Sequence, residues 1–495
     1  MHVLKQIYET AAANPDKLAV VYDGEPISFS RFWRLIDTCR RDLAERRLRR
    51  GLVLVNVAHL LDSWILNLAL RSLGFDTATI NGAGQVELFA GQDVSAVITV
   101  QSEVNDTLAA HGVARLHLPP PSQGQLGDDA PLPSWDLEGP YGAHVLLTSG
   151  TTGRPKPVPS RAGETEAAFA MTRQVNRGLD QRFESQGAAA IFCLFDLGLW
   201  TGAGYTLPVL AWTQGAAVIF DQRGEHHLAL QWPGVTRATM TPHYLIRVLR
   251  APEGAFPYQP ELRLVLWAGA ITRQMLGEAR RRITPLILNN LASTEVGLWA
   301  STALDSDDDL LWHRLVPTQR VEVVDDVGQP LPPGRLGEVR IALAQTGGAS
   351  HLGDAKTTAA QYQDGWFYPG DLGVFDERGR LSLRGRASDV VNIDGNKIVV
   401  EPWERKLQEA LGCEAVCIMA GHFGDAEDAL HVFIEATAPI PLERLTGAIQ
   451  ATLYGYPRVQ AHKVAALPRT ATGKIRRLEL AQQLNDGVFA DPPAV

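Results

Sequence analysis

The segment from Thr148 to Lys156 has the composition of a phosphate-binding loop, with the sequence TSGTTGRPK. It directly follows the apolar run Val145 to Leu147, so we expect it to begin where a buried strand ends. Small residues let the backbone fold closely around an anion, and successive N–H groups and hydroxyls can donate to phosphate oxygens. Only two residues separate Gly150 from Gly153, so the segment is not a Walker loop. We interpret it as a phosphate loop of another kind, to which Lys156 adds a cation.

Four later segments also combine residues that can do chemistry. Three of them have an ordinary interpretation when taken alone: Thr-Glu often begins a helix, an Asp after Gly is common in turns, and a late Gly-Lys pair is usually solvated. Their order and spacing along one chain favour a shared site. They are NNLASTE at Asn289–Glu295, GDLG at Gly370–Gly373, GRASD at Gly385–Asp389 and PRTATGKIRR at Pro468–Arg477.

These motifs, in this order, resemble those of the adenylate-forming (AMP-binding) superfamily, which includes acyl- and aryl-CoA ligases, luciferases and the adenylation domains of peptide synthetases. The resemblance implies that ATP and Mg²⁺ are used to convert a carboxylic acid into its acyl-adenylate. It assigns the nucleotide to Thr148, Ser149, Gly150, Thr151, Thr152, Gly153, Asn289, Asp371 and Arg386. It assigns catalysis to Lys156, Thr294, Glu295 and Lys474, with Glu295 also holding the metal.

The resemblance also implies a role for each of these groups. Asn289 would bond the adenine edge, and a carboxylate such as Asp371 can accept from both ribose hydroxyls. Glu295 suits Mg²⁺, which prefers oxygen ligands. Lys474 would bridge the substrate carboxylate and the α-phosphate, then withdraw when the small domain rotates at the hinge near Arg386. The face around Gly395 would replace it before a thiol attacks.

The identity of the acid depends on the segment Phe195 to Trp200, FDLGLW. It resembles a motif of amino-acid adenylation domains in which the Asp binds the substrate's ammonium group. Asp196 could instead cap the following helix, and both interpretations stay open. The remaining pocket is apolar, which favours an amino-bearing hydrophobic or aromatic acid. Its predicted residues are Asp196, Leu197, Trp200, Thr239, Leu266, Ala268, Asn290, Leu298 and Trp299.

The acceptor is left open by the sequence. The first hypothesis is a free-standing ligase that loads the phosphopantetheine thiol of a carrier protein. The second is an acyl- or aryl-CoA ligase that uses coenzyme A. The third is an inactive nucleotide-binding regulatory protein, against which the four retained residues Lys156, Glu295, Asp371 and Lys474 argue. Two residues depart from the family motifs. Leu291 replaces the usual aromatic residue, which bears on nucleotide affinity, and Ser388 replaces the usual hinge Asp, which bears on rotation of the small domain.

Composition limits the partners and the location of the chain. Its 495 residues carry a formal net charge of −9, which gives no electrostatic reason to bind a nucleic acid. No apolar stretch approaches the ~20 residues of a membrane span, and the N-terminus lacks the pattern of a signal peptide. The four cysteines form no metal-binding pattern and are expected to be buried. We therefore expect a cytoplasmic protein without a membrane or nucleic-acid partner.

Several elements must position these motifs. Apolar runs predict buried strands at Leu52–Val57, His144–Leu147, Ala189–Phe192 and Leu262–Trp267, and amphipathic runs predict helices at Phe32–Arg46, Gln274–Arg282, Glu401–Leu411 and Leu442–Leu453. The predicted fold class is α/β. Residues 1–385 would form a large domain of layered α/β subdomains with a β-rich subdomain at about 315–385. A hinge at 386–389 would lead to a small mobile α+β domain at 390–495.

Overall fold

The computed structural model describes residues 3–100, 113–124, 131–139, 141–148, 155–160, 182, 189–195, 197–343, 355–393, 396–423, 426–454, 459–470, 473–486 and 488–489. Ser149, Gly150, Thr151, Thr152 and Gly153 of the phosphate loop lie outside these ranges. So do Asp196 of the expected acid pocket and Gly395 after the hinge. The roles expected of these residues stay predictions.

The elements are numbered along the chain. The described helices are α1 Val3–Ala13, α2 Phe29–Glu45, α3 Leu60–Ser72, α4 Gly202–Thr213, α5 Pro242–Leu249, α6 Arg273–Arg282, α7 Ala355–Gln361, α8 Glu401–Leu411, α9 Leu442–Thr452 and α10 Arg477–Asn485. The described strands are β1 Leu18–Tyr22, β2 Glu25–Ser28, β3 Leu52–Asn56, β4 Asp76–Thr79, β5 Val94–Thr99, β6 Ala114–His117, β7 His144–Leu147, β8 Pro157–Ser160, β9 Ile191–Phe195, β10 Ala217–Phe220, β11 Arg237–Met240, β12 Arg263–Trp267, β13 Ile287–Ser293, β14 Gly297–Ala303, β15 Val321–Val324, β16 Gly337–Ala342, β17 Tyr362–Gln363, β18 Trp366–Phe367, β19 Asp371–Phe375, β20 Leu381–Arg386, β21 Val390–Ile393, β22 Asn396–Val399, β23 Ala415–Phe423, β24 Ala426–Glu435 and β25 Val459–Val464.

Two sheets of mostly parallel strands form the body of the large domain. Their strand orders are β14-β13-β12-β11-β9-β10-β1-β2 and β6-β5-β3-β4-β7-β8. The antiparallel pairs in them are β1 with β2, β13 with β14 and β7 with β8. Because neighbouring parallel strands end at one edge of a sheet, the loops after β9, β11 and β12 lie side by side.

Threonines begin the helices that follow these strands. The hydroxyls of Thr201, Thr241 and Thr272 each accept a hydrogen bond from the backbone N–H three residues later, at the starts of α4, α5 and α6. Such caps satisfy a helix N–H that would otherwise have no partner. The start of α5 is therefore fixed directly after β11 ends at Met240, which matters below because α5 faces the small domain.

The main core lies between the two large sheets. Val53 of β3 and Phe192 of β9, from different sheets, share one buried apolar cluster with Trp64 of α3. Almost the whole of α3 is buried, as expected for a helix that packs on both sides. The predicted strands and helices are confirmed, with ends shifted by at most three residues. For example, β9 runs from Ile191 to Phe195, and α8 has its predicted ends.

Two further units complete the fold. The β-rich unit is an antiparallel sheet in the order β17-β18-β16-β19-β20, with β15 beside β16. The small domain combines α8, α9 and α10 with the sheet β23-β24-β25 and the hairpin β21-β22, and it has apolar clusters of its own. The predicted α/β class, with a large N-terminal and a small C-terminal domain, is confirmed, whereas the exact domain boundaries stay predictions. None of the described helices is long and apolar enough to cross a membrane.

Candidate active site

The two ends of the phosphate loop are tied together at the base of a hairpin. β7 and β8 pair with Leu147 opposite Pro157. Beyond this pair, the Thr148 N–H donates to the Lys156 carbonyl at 2.9 Å. The Lys156 N–H donates in turn to Thr148 Oγ1 at 3.2 Å. Thr148 is buried, and its hydroxyl therefore fixes the loop exit. The two ends of the segment TSGTTGRPK are thus held together, and residues 149–154 between them lie outside the described ranges.

The turn before α4 joins this hairpin to Thr294. The Leu147 N–H donates to the Trp200 carbonyl at 3.0 Å, which connects β7 to the end of the FDLGLW segment. A methyl group placed on Gly202, the first residue of α4, would lie 3.7 Å from Thr294 Oγ1. The Thr294 side chain therefore lies beside a helix start that is hydrogen-bonded, through the preceding turn, to the phosphate hairpin. The tertiary structure brings together residues that are about 140 positions apart.

Asn289 and Asn290 occupy the strand β13 in the larger sheet. Asn289 pairs with Leu266 and Asn290 with Trp267 of β12. Both asparagines are buried, and a buried amide needs partners. Ser301 Oγ donates to Asn290 Oδ1 at 2.6 Å, so Asn290 is used in part by the structure itself. The expected contact of Asn289 with adenine stays a prediction.

A carboxylate and a guanidinium meet where β19 and β20 pair. Asp371 lies opposite Arg386 in the antiparallel register, and Arg386 Nε is 2.7 Å from Asp371 Oδ1. Arg386 also donates to the Pro369 carbonyl. Burial raises the pKa of Asp371, while the positive charges of Arg386 and Lys474 oppose that increase. This carboxylate therefore interacts with one cation of the predicted hinge, Arg386, and one of the small domain, Lys474.

The lysine loop of the small domain is closed by its own hydrogen bonds. The Gly473 N–H donates to the Thr470 carbonyl at 2.8 Å, and the Lys474 N–H donates to Thr470 Oγ1 at 3.2 Å. Arg469 Nη1 donates to the Gly473 carbonyl at 3.0 Å, while its Nη2 is 2.6 Å from Glu435 Oε2. The described residues at the two ends of the motif, 469–470 and 473–474, are thus bonded to each other and anchored to β24 through Glu435.

Lys474 of the small domain interacts electrostatically with charged residues of the large domain and the hinge. Burial lowers the pKa of Lys474 and the nearby Arg386 lowers it further, whereas Asp371 and Glu295 raise it. The charge of Lys474 therefore interacts with both carboxylates, which belong to two different segments of the large domain. Of the expected residues, Arg386 and Asp371 form an ion pair, and Lys474 interacts electrostatically with Glu295, Asp371 and Arg386. Their catalytic and nucleotide-binding roles stay predictions.

The residues expected to line the acid pocket lie in several parts of the large domain, and their role as a pocket stays a prediction. Thr239 and Leu266 are fully buried in the sheet core. Leu298 packs with Trp267 and Val316. Trp299 instead belongs to the apolar core of the β-rich unit, because successive residues of a strand face opposite sides.

The rest of the expected pocket lies around two turns. Ala268 is exposed and has a φ of 56° at the end of β12. Trp200 is half-buried and lies against Gly198, where a methyl group would overlap its ring. Leu197, three residues before Trp200, is buried. The turn at 197–200 and the turn at 268 therefore remain the best-placed candidates for contact with a substrate, and their role stays a prediction.

Three residues near the site were not identified from the sequence. Burial raises the pKa of Tyr362 of β17, and the negative charge of Glu295 raises it further. Burial raises the pKa of Glu401 to about 7, with contributions from Glu404 and Asp371. His243 of α5 lies against Gly473. None of the three stands in a recognisable motif, so only the tertiary contacts identify them.

The donor set fits a magnesium ion that is bound together with a nucleotide. Among the described residues, no group of three or more His, Cys, Asp or Glu side chains could hold a metal ion by itself. Mg²⁺ is usually bound by one or two carboxylates together with substrate phosphates. A single carboxylate at Glu295, near the Thr294 turn and the phosphate hairpin, meets that requirement.

Comparison with known proteins agrees with this arrangement. The family model described as AMP-binding enzyme matches residues 7–347. A 2-succinylbenzoate–CoA ligase of Listeria monocytogenes serotype 4b (strain F2365) is 27% identical, over 95% of this chain and 97% of the relative. A 4-chlorobenzoate–CoA ligase of Arthrobacter sp. is 26% identical, over 93% of this chain and 91% of the relative.

A solved structure shares the fold over nearly the whole length. It is the O-succinylbenzoate coenzyme A synthetase (MenE) of Bacillus subtilis in complex with ATP and magnesium ion. The TM-score is 0.75 at 19% identity, and the match covers 97% of this chain and 99% of that one. The motifs, the fold and the family match agree. The chain belongs to the AMP-binding enzyme family and is an AMP-forming acid–thiol ligase.

Proposed function

We propose that this enzyme activates an aryl or other apolar carboxylic acid as its acyl-adenylate and transfers the acyl group to coenzyme A. The observation that carries the proposal is the electrostatic environment of Lys474. The negative charges of Asp371 and Glu295 both raise its pKa. A cation whose charge interacts with both carboxylates suits a reaction in which two anions, the acid and ATP, must approach each other. The relatives named above are CoA ligases, which favours coenzyme A over the carrier protein that we first expected.

In the first half-reaction, a carboxylate oxygen of the acid attacks the α-phosphorus of ATP. A P–O bond forms, the bond to pyrophosphate breaks, and pyrophosphate leaves with its electron pair. Lys474 would hold the acid and the α-phosphate together, and preorganised charge of this kind contributes several kcal/mol in a dry site. Bound Mg²⁺, held by Glu295, would neutralise phosphate charge. Asp371 and Arg386 would orient the ribose, which keeps the α-phosphorus in position.

In the second half-reaction, the coenzyme A thiol attacks the acyl carbon of the mixed anhydride. A C–S bond forms, the C–O bond to AMP breaks, and AMP leaves with the electron pair while the thiol proton goes to solvent or a nearby base. AMP is a far better leaving group than the oxygen of a free carboxylate, which explains why the acid is adenylated first.

The acid class is supported by apolar side chains near the two turns that follow β9 and β12. Leu197 and Trp200 lie on the first turn, and Ala268 on the second. An amine on the acid is a second candidate feature, favoured by the position of Asp196 directly after β9. A buried carboxylate is costly unless a cation meets it, and a substrate ammonium group would be that cation.

A substrate panel tests the proposal directly. The protein is incubated with ATP, Mg²⁺ and benzoates, aminobenzoates, aliphatic acids or hydrophobic amino acids, and pyrophosphate release is measured with coenzyme A, with a phosphopantetheinylated carrier protein, or with neither. Faster pyrophosphate release in the presence of coenzyme A and an aryl acid supports the proposal. Acceleration only by the carrier protein contradicts the coenzyme A step. No release with any acid supports an inactive nucleotide-binding protein.

A matched pair of variants identifies where an amine would bind. Asp196→Asn removes the charge without changing the size of the side chain. If the acid carries an amine that Asp196 binds, this variant loses activity on aminobenzoates or amino acids and keeps activity on the parent acids without the amine. Equal loss of activity on the amine-bearing acids and on the parent acids would contradict the binding of a substrate amine by Asp196.

A further inference from the structure

Helix α5 of the large domain contacts the small domain at both of its ends. Its second residue, His243, lies against Gly473 of the lysine loop. Its C-cap, Arg250, forms an ion pair with Glu414 at the start of the small-domain sheet. The contacts are about one helix length apart, ~10 Å at 1.5 Å per residue. Two separated contacts define an orientation, whereas one contact would leave the small domain free to pivot.

The first contact requires glycine on the small-domain side. Gly473 has a φ of 82°, and a methyl group placed on it would come within 2.9 Å of His243 Cβ and 3.4 Å of His243 Cγ. The backbone of the lysine loop therefore touches the imidazole side chain directly. Lys474 is the next residue, so the contact fixes the loop one residue away from the group that enters the active site.

The second contact uses a carboxylate that is already oriented. Glu414 accepts hydrogen bonds from the Thr437 N–H at 3.0 Å and from the Thr437 hydroxyl at 2.5 Å. Arg250 Nη2 is 2.8 Å from Glu414 Oε1, and the Arg250 side chain remains 48% exposed. Exposed ion pairs typically contribute ~0–1 kcal/mol. The Arg250–Glu414 pair therefore orients the small domain more than it stabilises it.

We propose that His243 and Arg250 form a docking seat for the small domain, and that they act as positioning residues that hold Lys474 in place for adenylation. Neither residue needs to touch the substrate, since the first acts through Gly473 and the second through Glu414. The inference rests on the adenylation half of the proposed function. It predicts that damage to the seat moves the small domain even when neither acid nor coenzyme A is present.

The first test measures the domain arrangement without any substrate acid. Spin labels are placed by Val327→Cys and Leu442→Cys, two exposed positions in the large and small domains, in a Cys413→Ser background because Cys413 is half-buried. Distances are measured by double electron–electron resonance with ATP and Mg²⁺. We expect one dominant distance in the parent. Arg250→Glu, which sets two carboxylates against each other, should add a second distance population.

Matched variants separate docking from general damage. Arg46→Glu makes the same charge change at an exposed arginine beyond the end of α2, where it faces Asp42, and should leave the distances unchanged. Glu414→Gln in the Arg250→Glu background removes the repulsion while an amide still accepts from Thr437, so it should restore the parent distance. Distance distributions that are identical in all variants, or that Arg46→Glu alters as much as Arg250→Glu does, would overturn the seat.

The second test is kinetic and uses 4-chlorobenzoate and 2-succinylbenzoate as acid probes. We expect Arg250→Glu to lower pyrophosphate exchange by about fivefold and His243→Ala to lower it by about tenfold, since a small misplacement of a catalytic group is costly. The loss should fall on kcat rather than on the KM for ATP. Parent protein that exchanges with neither acid speaks against the proposed substrate class, whereas the spin-label result still decides the seat.

Discussion

Arg386 Nε lies 2.7 Å from Asp371 Oδ1, with the carboxylate buried and Lys474 close by. The pair stands at the end of β19–β20, one residue before the short helical turn at 387–389 that leads into the small domain. The predicted ribose site and the link to the small domain therefore share one carboxylate. If Asp371 grips the ribose, its removal should weaken nucleotide binding and leave the sheet pairing intact.

The first prediction concerns Asp371→Asn. A neutral amide cannot accept two hydrogen bonds from a ribose diol as the carboxylate does, and hydrogen bonds to a charged group contribute ~1.5–3 kcal/mol. We expect the KM for ATP in pyrophosphate exchange to rise by about tenfold or more. Asp364→Asn, in an exposed turn of the same β-rich unit with a φ of 49°, is the matched control, because Asn also tolerates that conformation. An unchanged KM for ATP would remove the ribose role.

The second prediction concerns Lys474→Ala. We expect adenylation to fall by about 100-fold or more, because a positioned charge is lost from the reacting centre, while the fold is kept. Lys463→Ala on β25 is the control, since Lys463 is exposed in the same small domain. Pyrophosphate exchange measures both variants, and circular dichroism verifies the fold. Exchange of the Lys474 variant at the level of the Lys463 variant would contradict the role of Lys474.

The third prediction is an alkaline limb in the pH profile of adenylation. Burial lowers the pKa of Lys474 below its ordinary value of 10.5, so its positive charge is present below the lowered pKa and is lost as pH rises through it. Exchange should decline on that limb earlier than an unperturbed lysine would allow. Lys474→Arg keeps its charge at high pH, so whatever activity it retains should lack the limb. An identical limb in both proteins would assign it to another group.

The fourth prediction is an acid limb that depends on His243. In the docked arrangement, burial lowers the pKa of His243 to about 4, and Arg469, Arg247 and Arg250 oppose its protonation while Glu435 favours it. Once undocked, His243 would titrate nearer its ordinary pKa of 6.5. Docking is therefore fully favoured above that pH and is weakened as pH falls from about 6.5 towards 4.

Spin-label distances measured between pH 8 and pH 5 check this prediction. The parent should gain the undocked distance population as pH falls, and His243→Gln, which cannot be protonated, should show a smaller change. Distances that shift with pH to the same extent in both proteins would contradict the role of His243.

The fifth prediction concerns the stability of the small domain. Arg477 Nη2 lies 2.8 Å from both Oε1 and Oε2 of Glu404, which is buried and also accepts from the Ile418 N–H at 2.6 Å. Arg477→Leu leaves a buried carboxylate without its cation and should lower the local free energy of unfolding by about 3–5 kcal/mol.

Hydrogen exchange of α8, followed by mass spectrometry, measures this loss. Arg476→Leu is the control, because Arg476 and Glu479 form an exposed pair that contributes ~0–1 kcal/mol. Equal protection of α8 in both variants would mean that the Arg477–Glu404 pair adds nothing to stability.

Features that depend on short-range chemistry were predictable. The helix α8 follows from its own periodicity, and the phosphate hairpin between His144 and Ser160 follows from an apolar run and a loop of small residues. The lysine loop closes through bonds among residues 469–474. The motif residues Glu295, Asp371, Arg386 and Lys474 were identified together because their order resembles one family. Each motif can be recognised in the sequence because its residues are neighbours along the chain.

The sequence by itself determined the nucleotide motifs, the α/β class and the kind of chemistry. Only the tertiary structure decided which face each pocket candidate presents, as when Trp299 packs in the β-rich core while Leu298 packs with Trp267. It also decided that His243 lies against Gly473, 230 positions further along the chain. Contacts of this kind depend on how separate elements pack, and no periodicity or local motif encodes packing between distant surfaces.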